Sequence, residues 1–271
     1  MRRYLDLPTG QVHVRVAGSG GEDSLLLLHR VTSSSWFWDP VIPLFAREGY
    51  QVIAPDLPGY GLSDSPAEEP TLEWYADIAR RVAEAFGALT PWVLGNHTGA
   101  SVALQYAASF SDALRGVILW GLPFYPAETR VRFAQEAEPT YDPEGVDIAH
   151  WWKWNYSSAG RGDGQAVATR AVGELMLCGR ARPLGHRALG RVDHEPLLRR
   201  VTKPTLLIDH ARDVLVEETR RASALVKGAE YVELADGTPA LTDDDPSRFV
   251  SEVHSFIGRR RRPMQSTSVG G

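Results

Sequence analysis

Short apolar runs recur along the chain, at Val12 to Val16, Leu25 to Leu28, Val52 to Pro55, Trp92 to Leu94, Val117 to Trp120, Thr205 to Ile208 and Tyr231 to Leu234. Most are continuous rather than alternating, the pattern of strands buried on both faces. Helical patterns lie between them, over Pro40 to Glu48, Leu72 to Phe86, Gly99 to Ala108, Glu217 to Val226 and Pro246 to Ile257. This alternation predicts an α/β fold: a mostly parallel central sheet flanked by helices. From about Pro123 to Arg200 the rhythm breaks into helix-like patterns and Gly-rich turns with no convincing strand. The expected organisation is a core over residues 1–122, a helical cap insertion over 123–200, the rest of the core over 201–258, and a disordered tail over 259–271. The cap is expected over the sheet edge, where such folds open their crevices.

One run changes the picture. In Val93-Leu94-Gly95-Asn96-His97-Thr98-Gly99-Ala100, a strand runs into a helix with the spacing of a Gly-x-Ser-x-Gly nucleophile elbow, but histidine stands at its centre. Such a turn exposes the central side chain above the sheet, and its glycines relieve backbone crowding. Ser101 lies about one turn into the helix and does not share that projection. The elbow's shape predicts a reactive site, and its central residue argues against serine chemistry.

Composition bounds the rest. The 271 residues, 43% of them hydrophobic, suffice for one α/β domain with an insertion. A formal charge of -5 with 23% charged residues gives no reason to expect a nucleic-acid partner. Arg259 to Arg262 read as part of a solvated tail, and Arg161-Gly162-Asp163-Gly164 as a turn within the insertion. The single Cys178 forbids an internal disulfide and fits a reducing compartment, and no segment has the run of apolar residues a membrane helix needs. A cytoplasmic protein with no membrane partner is expected, and its oligomeric state is left open. Neither a dinucleotide fingerprint nor a phosphate-binding loop is present, so no cofactor is expected.

The chain resembles the α/β-hydrolase superfamily over roughly positions 10 to 257. The resemblance rests on Leu26-Leu27-Leu28-His29, on Asp56-Leu57-Pro58-Gly59-Tyr60-Gly61-Leu62-Ser63-Asp64, and on the elbow. It implies a nucleophile position at His97, an acid at Asp213 in Asp209-His210-Ala211-Arg212-Asp213, and a terminal histidine near Thr238-Pro239, where this sequence has none. Where an oxyanion glycine would follow His29, Arg30 stands instead. Only the acid of that machinery remains in place, and a serine triad has neither its nucleophile nor its base.

The remaining groups predict a His97–Asp213 dyad, with His97 alternatively filling the elbow without chemistry. The Val31 and Thr98 N–H groups are candidate oxyanion donors. Arg30 points either inward, beside developing charge, or outward, and His29 either organises its loop or touches substrate. His210 is read as orienting Asp213 or its loop. Trp36, Trp120, Trp151 and Trp154 are candidate walls for an apolar or aromatic small molecule, or else packing residues. His29, His97, Asp209 and His210 lack a metal-ligand pattern, so no metal is expected. These features lead to a cofactor-independent enzyme doing non-hydrolytic proton-transfer chemistry, as a cyclase, isomerase or lyase. The alternatives are hydrolysis of an ester, lactone or C–C bond by His97-activated water, and noncatalytic ligand binding. The elbow carries no carboxylate, which argues against an aspartate nucleophile.

Overall fold

The structure is a computed structural model that describes residues 1–19 and 23–260. Eight strands form one sheet: β1 (Arg2–Leu7), β2 (Gly10–Ala17), β3 (Ser24–Leu28), β4 (Gln51–Pro55), β5 (Trp92–Asn96), β6 (Gly116–Trp120), β7 (Thr205–His210) and β8 (Glu230–Leu234), in the order β1-β2-β4-β3-β5-β6-β7-β8. The pairs β1/β2 and β2/β4 are antiparallel and the others parallel. All seven expected strands are present. The pattern of the chain did not announce β1, because its residues Arg2 to Tyr4 are exposed at the sheet edge and no continuous apolar run marks it. The helices are α1 (Ile42–Arg47), α2 (Leu72–Ala85), α3 (Thr98–Ser109), α4 (Ala127–Ala134), α5 (Val146–Ser158), α6 (Gly164–Cys178), α7 (Leu184–Gly190), α8 (His194–Arg200), α9 (Val216–Ser223), α10 (Leu241–Asp244) and α11 (Pro246–Gly258).

The continuous apolar strands have a simple cause. Leu26 and Leu28 of β3 join one core cluster, with Val102 of α3 and Val82 of α2, while Leu25 and Leu27 join the other, with Phe249 and Phe256 of α11. Successive side chains of a strand point to opposite faces, so a strand covered on both sides must be apolar throughout. The helix starts follow from capping: Thr71 accepts from the Trp74 N–H at α2, and Asp245 accepts from the Arg248 N–H at α11, where Pro246 opens the helix. Asp163 caps α6 by accepting from the Gln165 and Ala166 N–H groups, which makes Arg161 to Gly164 the turn the sequence suggested.

Between β6 and β7 the chain is helical, and several polar bonds fasten it to the core. Glu174 of α6 accepts from the Ser34 N–H at 2.8 Å and from its hydroxyl at 2.7 Å. Arg170 grips Asp243 with two bonds of 2.9 and 2.6 Å, and Arg161 pairs with Asp244 and Asp245. The Gly185 N–H of α7 donates to the Tyr60 hydroxyl at 2.8 Å. At the end of this segment α8 packs on α3, with buried His194 Nε2 2.9 Å from the buried Ser101 hydroxyl. That places Ser101 in the core, away from any reactive surface. No helix among the described residues is long and apolar enough to cross a membrane. Of the expected tail, Arg259 and Arg260 are described and pair with Glu230. The remainder lies outside the described residues.

The elbow glycines carry a testable load. A Cβ on Gly99 would sit 2.1 Å from the Leu28 carbonyl oxygen and 2.6 Å from that of His29, both fixed by β3. Gly99→Ala is expected to destabilise by about 1–3 kcal/mol through overpacking, read as a lower urea midpoint. Gly258→Ala, where a Cβ meets nothing within 4 Å, should stay within about 0.5 kcal/mol of the parent.

Candidate active site

The end of β5 sets the site. His97 has φ 49° and ψ -114° and is the one non-glycine residue with positive φ among those described. A backbone of this kind costs on the order of 1–3 kcal/mol and persists only when its surroundings enforce it. Two contacts do so. The His97 N–H donates to the Trp120 carbonyl at 2.9 Å, and a Cβ on Gly95 would lie 2.0 Å from the Gly99 carbonyl, so the strand and helix can meet only through glycines.

The projected imidazole reaches Asp213 across 116 residues of chain, with Nε2 2.8 Å from Oδ2. The sequence-predicted pair is thus brought together. Its enabling residue was missed: at Gly121, φ +61°, a Cβ would lie 2.5 Å from His97 Cδ2 and 3.4 Å from Asp213 Oδ2. The imidazole and carboxylate meet over the bare backbone that follows β6. A glycine ending an apolar strand in Trp120-Gly121-Leu122-Pro123 was the available signal. His97 keeps 22% of its side-chain surface exposed and Asp213 only 5%. The His97 Nδ1 has no protein partner among the described residues.

Asp213 is held firmly. Its Oδ1 accepts from the Leu215 N–H at 2.8 Å, and Oδ2 also lies 3.3 Å from Nε2 of fully buried His210. Burial pushes its carboxyl up, but the imidazoles of His97 and His210 more than offset this and hold it well below the usual range. Asp209 behaves in the opposite way: burial, then the charge of Asp213, raises it well above the usual range. Asp213 stays ionised beside its imidazoles, and its charge helps to keep the Asp209 carboxyl protonated. Asp209, His210 and Asp213 offer ligand atoms within 4.8 Å of one another, the one such group among the described residues. Asp213 is already committed to His97 and Leu215.

The loop after β3 supplies the other side. His29 Nε2 accepts from the Leu57 N–H at 2.9 Å, so Nδ1 carries the proton and donates to the Arg30 carbonyl, also at 2.9 Å. His29 is therefore a loop organiser, and its candidate role on substrate is corrected: both nitrogens are used and the ring is fully buried. Burial also lowers its pKa. Asp56 braces the same loop by accepting from the Ser35 N–H at 2.6 Å, and it binds His13 Nδ1 at 2.8 Å. Neither the Val31 nor the Thr98 N–H donates to a protein acceptor among the described residues. α7 rests on both side chains, since a Cβ on Gly185 would lie 2.6 Å from Val31 Cγ2 and 3.0 Å from Thr98 Cγ2.

Arg30 points inward. It borders a cavity of about 10 Å³ under α5 and α6, together with Ser33, Phe37, Trp154, Asn155 and Glu174. That is room for about one water. The Arg30 guanidinium lies over the Phe37 ring, 4.8 Å from its centroid. Burial lowers the Arg30 pKa, against the pull of Asp213 and Glu174. Glu174, which the sequence did not single out, is raised to about 7 by burial. Of the candidate aromatic walls, Trp154 borders the cavity. Trp120 belongs to the core, 1% exposed and packed on Phe37, Trp38 and Phe249, because its strand turns it to the α11 face. Trp36 packs toward α6 beside Gly173, and Trp151 stacks on Trp154 with its Nε1 donating to the Ala171 carbonyl, so neither borders this cavity. A larger surface groove, about 420 Å³ at Pro66, Pro70 and Trp74, includes none of these groups.

Known proteins are consistent with this architecture. The family model described as alpha/beta hydrolase fold matches residues 23–141. Haloalkane dehalogenase 2 of Mycobacterium tuberculosis is 25% identical over 94% of each chain. The esterase RhEst1 from Rhodococcus sp. ECU1013 is 25% identical, with a TM-score of 0.77 over 96% of this chain and 99% of that one. The enol-lactonase from Burkholderia xenovorans LB400 is 17% identical, with a TM-score of 0.73 over 94% of this chain and all of the other, 100%. The chain therefore has the α/β-hydrolase fold, and the proteins it resembles are mostly hydrolytic enzymes.

Two outcomes test the geometry. Gly121→Ala should force the imidazole off Asp213, so the downfield ¹H NMR resonance of an Nε2–H bonded to a carboxylate should disappear while the circular dichroism of the fold is kept. For Glu174, the folded pKa of about 7 exceeds the ordinary 4.5, so between those values the folded chain holds a proton that the unfolded chain has released. Stability should therefore fall as pH rises through this window, by up to about 3 kcal/mol. Denaturant titrations of Glu174→Gln should lack that component, with the variant gaining on the parent as pH rises toward 8.

Proposed function

We propose that this chain is a cofactor-independent enzyme in which His97 is a general base, oriented by Asp213, acting on a small apolar or aromatic molecule beneath the helical cap. The observation that carries this reading is the 2.8 Å bond from Nε2 to Asp213, which leaves Nδ1 unpartnered. A carboxylate partner fixes the proton on Nε2 and leaves the Nδ1 lone pair basic. When Nδ1 takes a proton, the imidazolium is stabilised by a carboxylate that its surroundings keep ionised. The free Val31 and Thr98 amides supply donors for an oxyanion developing on the substrate.

Direct proton abstraction, as in a cyclase, isomerase or lyase, is the first reading, because His97 presents an unpartnered Nδ1 where the elbow projects its side chain. A second reading has His97 activate water against an ester, lactone or C–C bond. The hydrolytic names of the relatives favour it. An acyl-serine route has no support, because the apex of the elbow is His97 rather than serine and Ser101 is bonded to buried His194.

The test is turnover in a substrate panel, including activated esters and lactones, for the parent, His97→Ala and Asp213→Asn. General-base assistance is typically about 10²–10⁴-fold, so His97→Ala should lose that much in kcat. Asp213→Asn should approach the same loss by disturbing the tautomer. Unchanged turnover in both variants would remove the dyad from the mechanism. Incorporation of solvent ¹⁸O into product would select the hydrolytic reading, and its absence the direct one.

A further inference from the structure

Arg30 has no ion-pair partner among the described residues. No carboxylate lies within 4.0 Å of its guanidinium, and none of its side-chain nitrogens is hydrogen-bonded among the described residues. Its companion in the cavity is different: Arg170 is saturated by the two bonds to Asp243. Glu174 uses its Oε1 for both bonds from Ser34. Arg30 has the Phe37 ring beneath it and the cavity in front, with Trp154, Asn155 and Ser158 on the cap side. Arg30 is half-buried, and drawing a guanidinium partly out of water without a paired anion carries a cost. The loop that holds it is braced by His29 and Asp56 rather than free to swing out.

We propose that Arg30 is the recognition point for a carboxylate on the substrate, whose apolar part lies against Phe37 and Trp154. The inference rests on the His97 reading only in taking the substrate to lie beneath the helical cap. The planar guanidinium fork matches two carboxylate oxygens, and Ser33 and Asn155 are at hand for their remaining lone pairs. A monoanion fits better than a phosphate dianion. Of the two cations lining the cavity, Arg170 is already paired, and the ionised Asp213 already places negative charge near Arg30. The volume of about 10 Å³ means that the ligand displaces cap side chains on entry. Trp154, 42% exposed, is positioned to yield.

The experiment is calorimetric binding of two matched pairs, phenylacetate with phenylacetamide and cinnamate with cinnamamide, to the parent, Arg30→Gln, Arg30→Lys and His97→Ala. A charge-assisted pair is expected to favour each acid over its amide by about tenfold or more, in the parent and in His97→Ala alike. Arg30→Gln should bring the ratio near one, and Arg30→Lys should keep part of it. Melting curves establish that each variant is folded, and the lysine variant keeps the test valid if the glutamine variant is not. Equal affinity for acid and amide, an acid preference that survives in folded Arg30→Gln, or no binding of either acid to the parent overturns the proposal. An acid preference alongside turnover indifferent to His97 would leave the anion site standing and remove the base. His97-dependent turnover without an acid preference would do the reverse.

Discussion

The bond between His97 and Asp213 depends on three neighbouring strands ending at one level. β5 delivers the imidazole, β6 ends in a glycine that leaves the space open, and β7 leads into the turn that presents the carboxylate. Parallel strands about 4.8 Å apart bring residues distant in sequence within hydrogen-bond reach. Any side chain on Gly121 would fill that gap. The strained backbone at His97 is held by the same arrangement, since the ladder bond to Trp120 and the glycine contact between Gly95 and Gly99 leave the chain no relaxed alternative.

Electrostatics divides the labour among the buried acids. Asp213 is surrounded by two imidazoles and a backbone N–H, so it keeps its charge at the centre of the site. Asp209, one strand residue away from His210, has no comparable cation and gives way to protonation. Glu174 accepts two bonds from Ser34 and still titrates upward, because burial outweighs them. Neighbouring imidazoles decide the ionisation of Asp213, and burial decides that of Asp209 and Glu174.

The helical segment between β6 and β7 is joined to the core by polar fastenings as well as by apolar packing, in which Ala188, Leu189, Leu197 and Leu198 share the cluster of α2 and α3. Arg170 on Asp243, Arg161 on Asp244 and Glu174 on Ser34 are discrete bonds. The two apolar clusters lie on either face of the sheet.

The sequence by itself determined the sheet, the alternating helices, the elbow and the acid. Continuous apolar runs, capping residues and glycines at fixed spacing are local signals, set by side-chain burial and backbone sterics within a few residues. It did not determine β1, whose exposed edge lacks such a run, or the fates of Trp120 and His29, since either pocket or packing suits the same residue type. Tertiary structure alone decided that Gly121 opens the space for the dyad, that Arg30 turns inward without a partner, and that Glu174 meets Ser34 across 140 residues. Those outcomes depend on which surfaces meet when distant strands and helices pack, and no pattern within one segment encodes its neighbour's position.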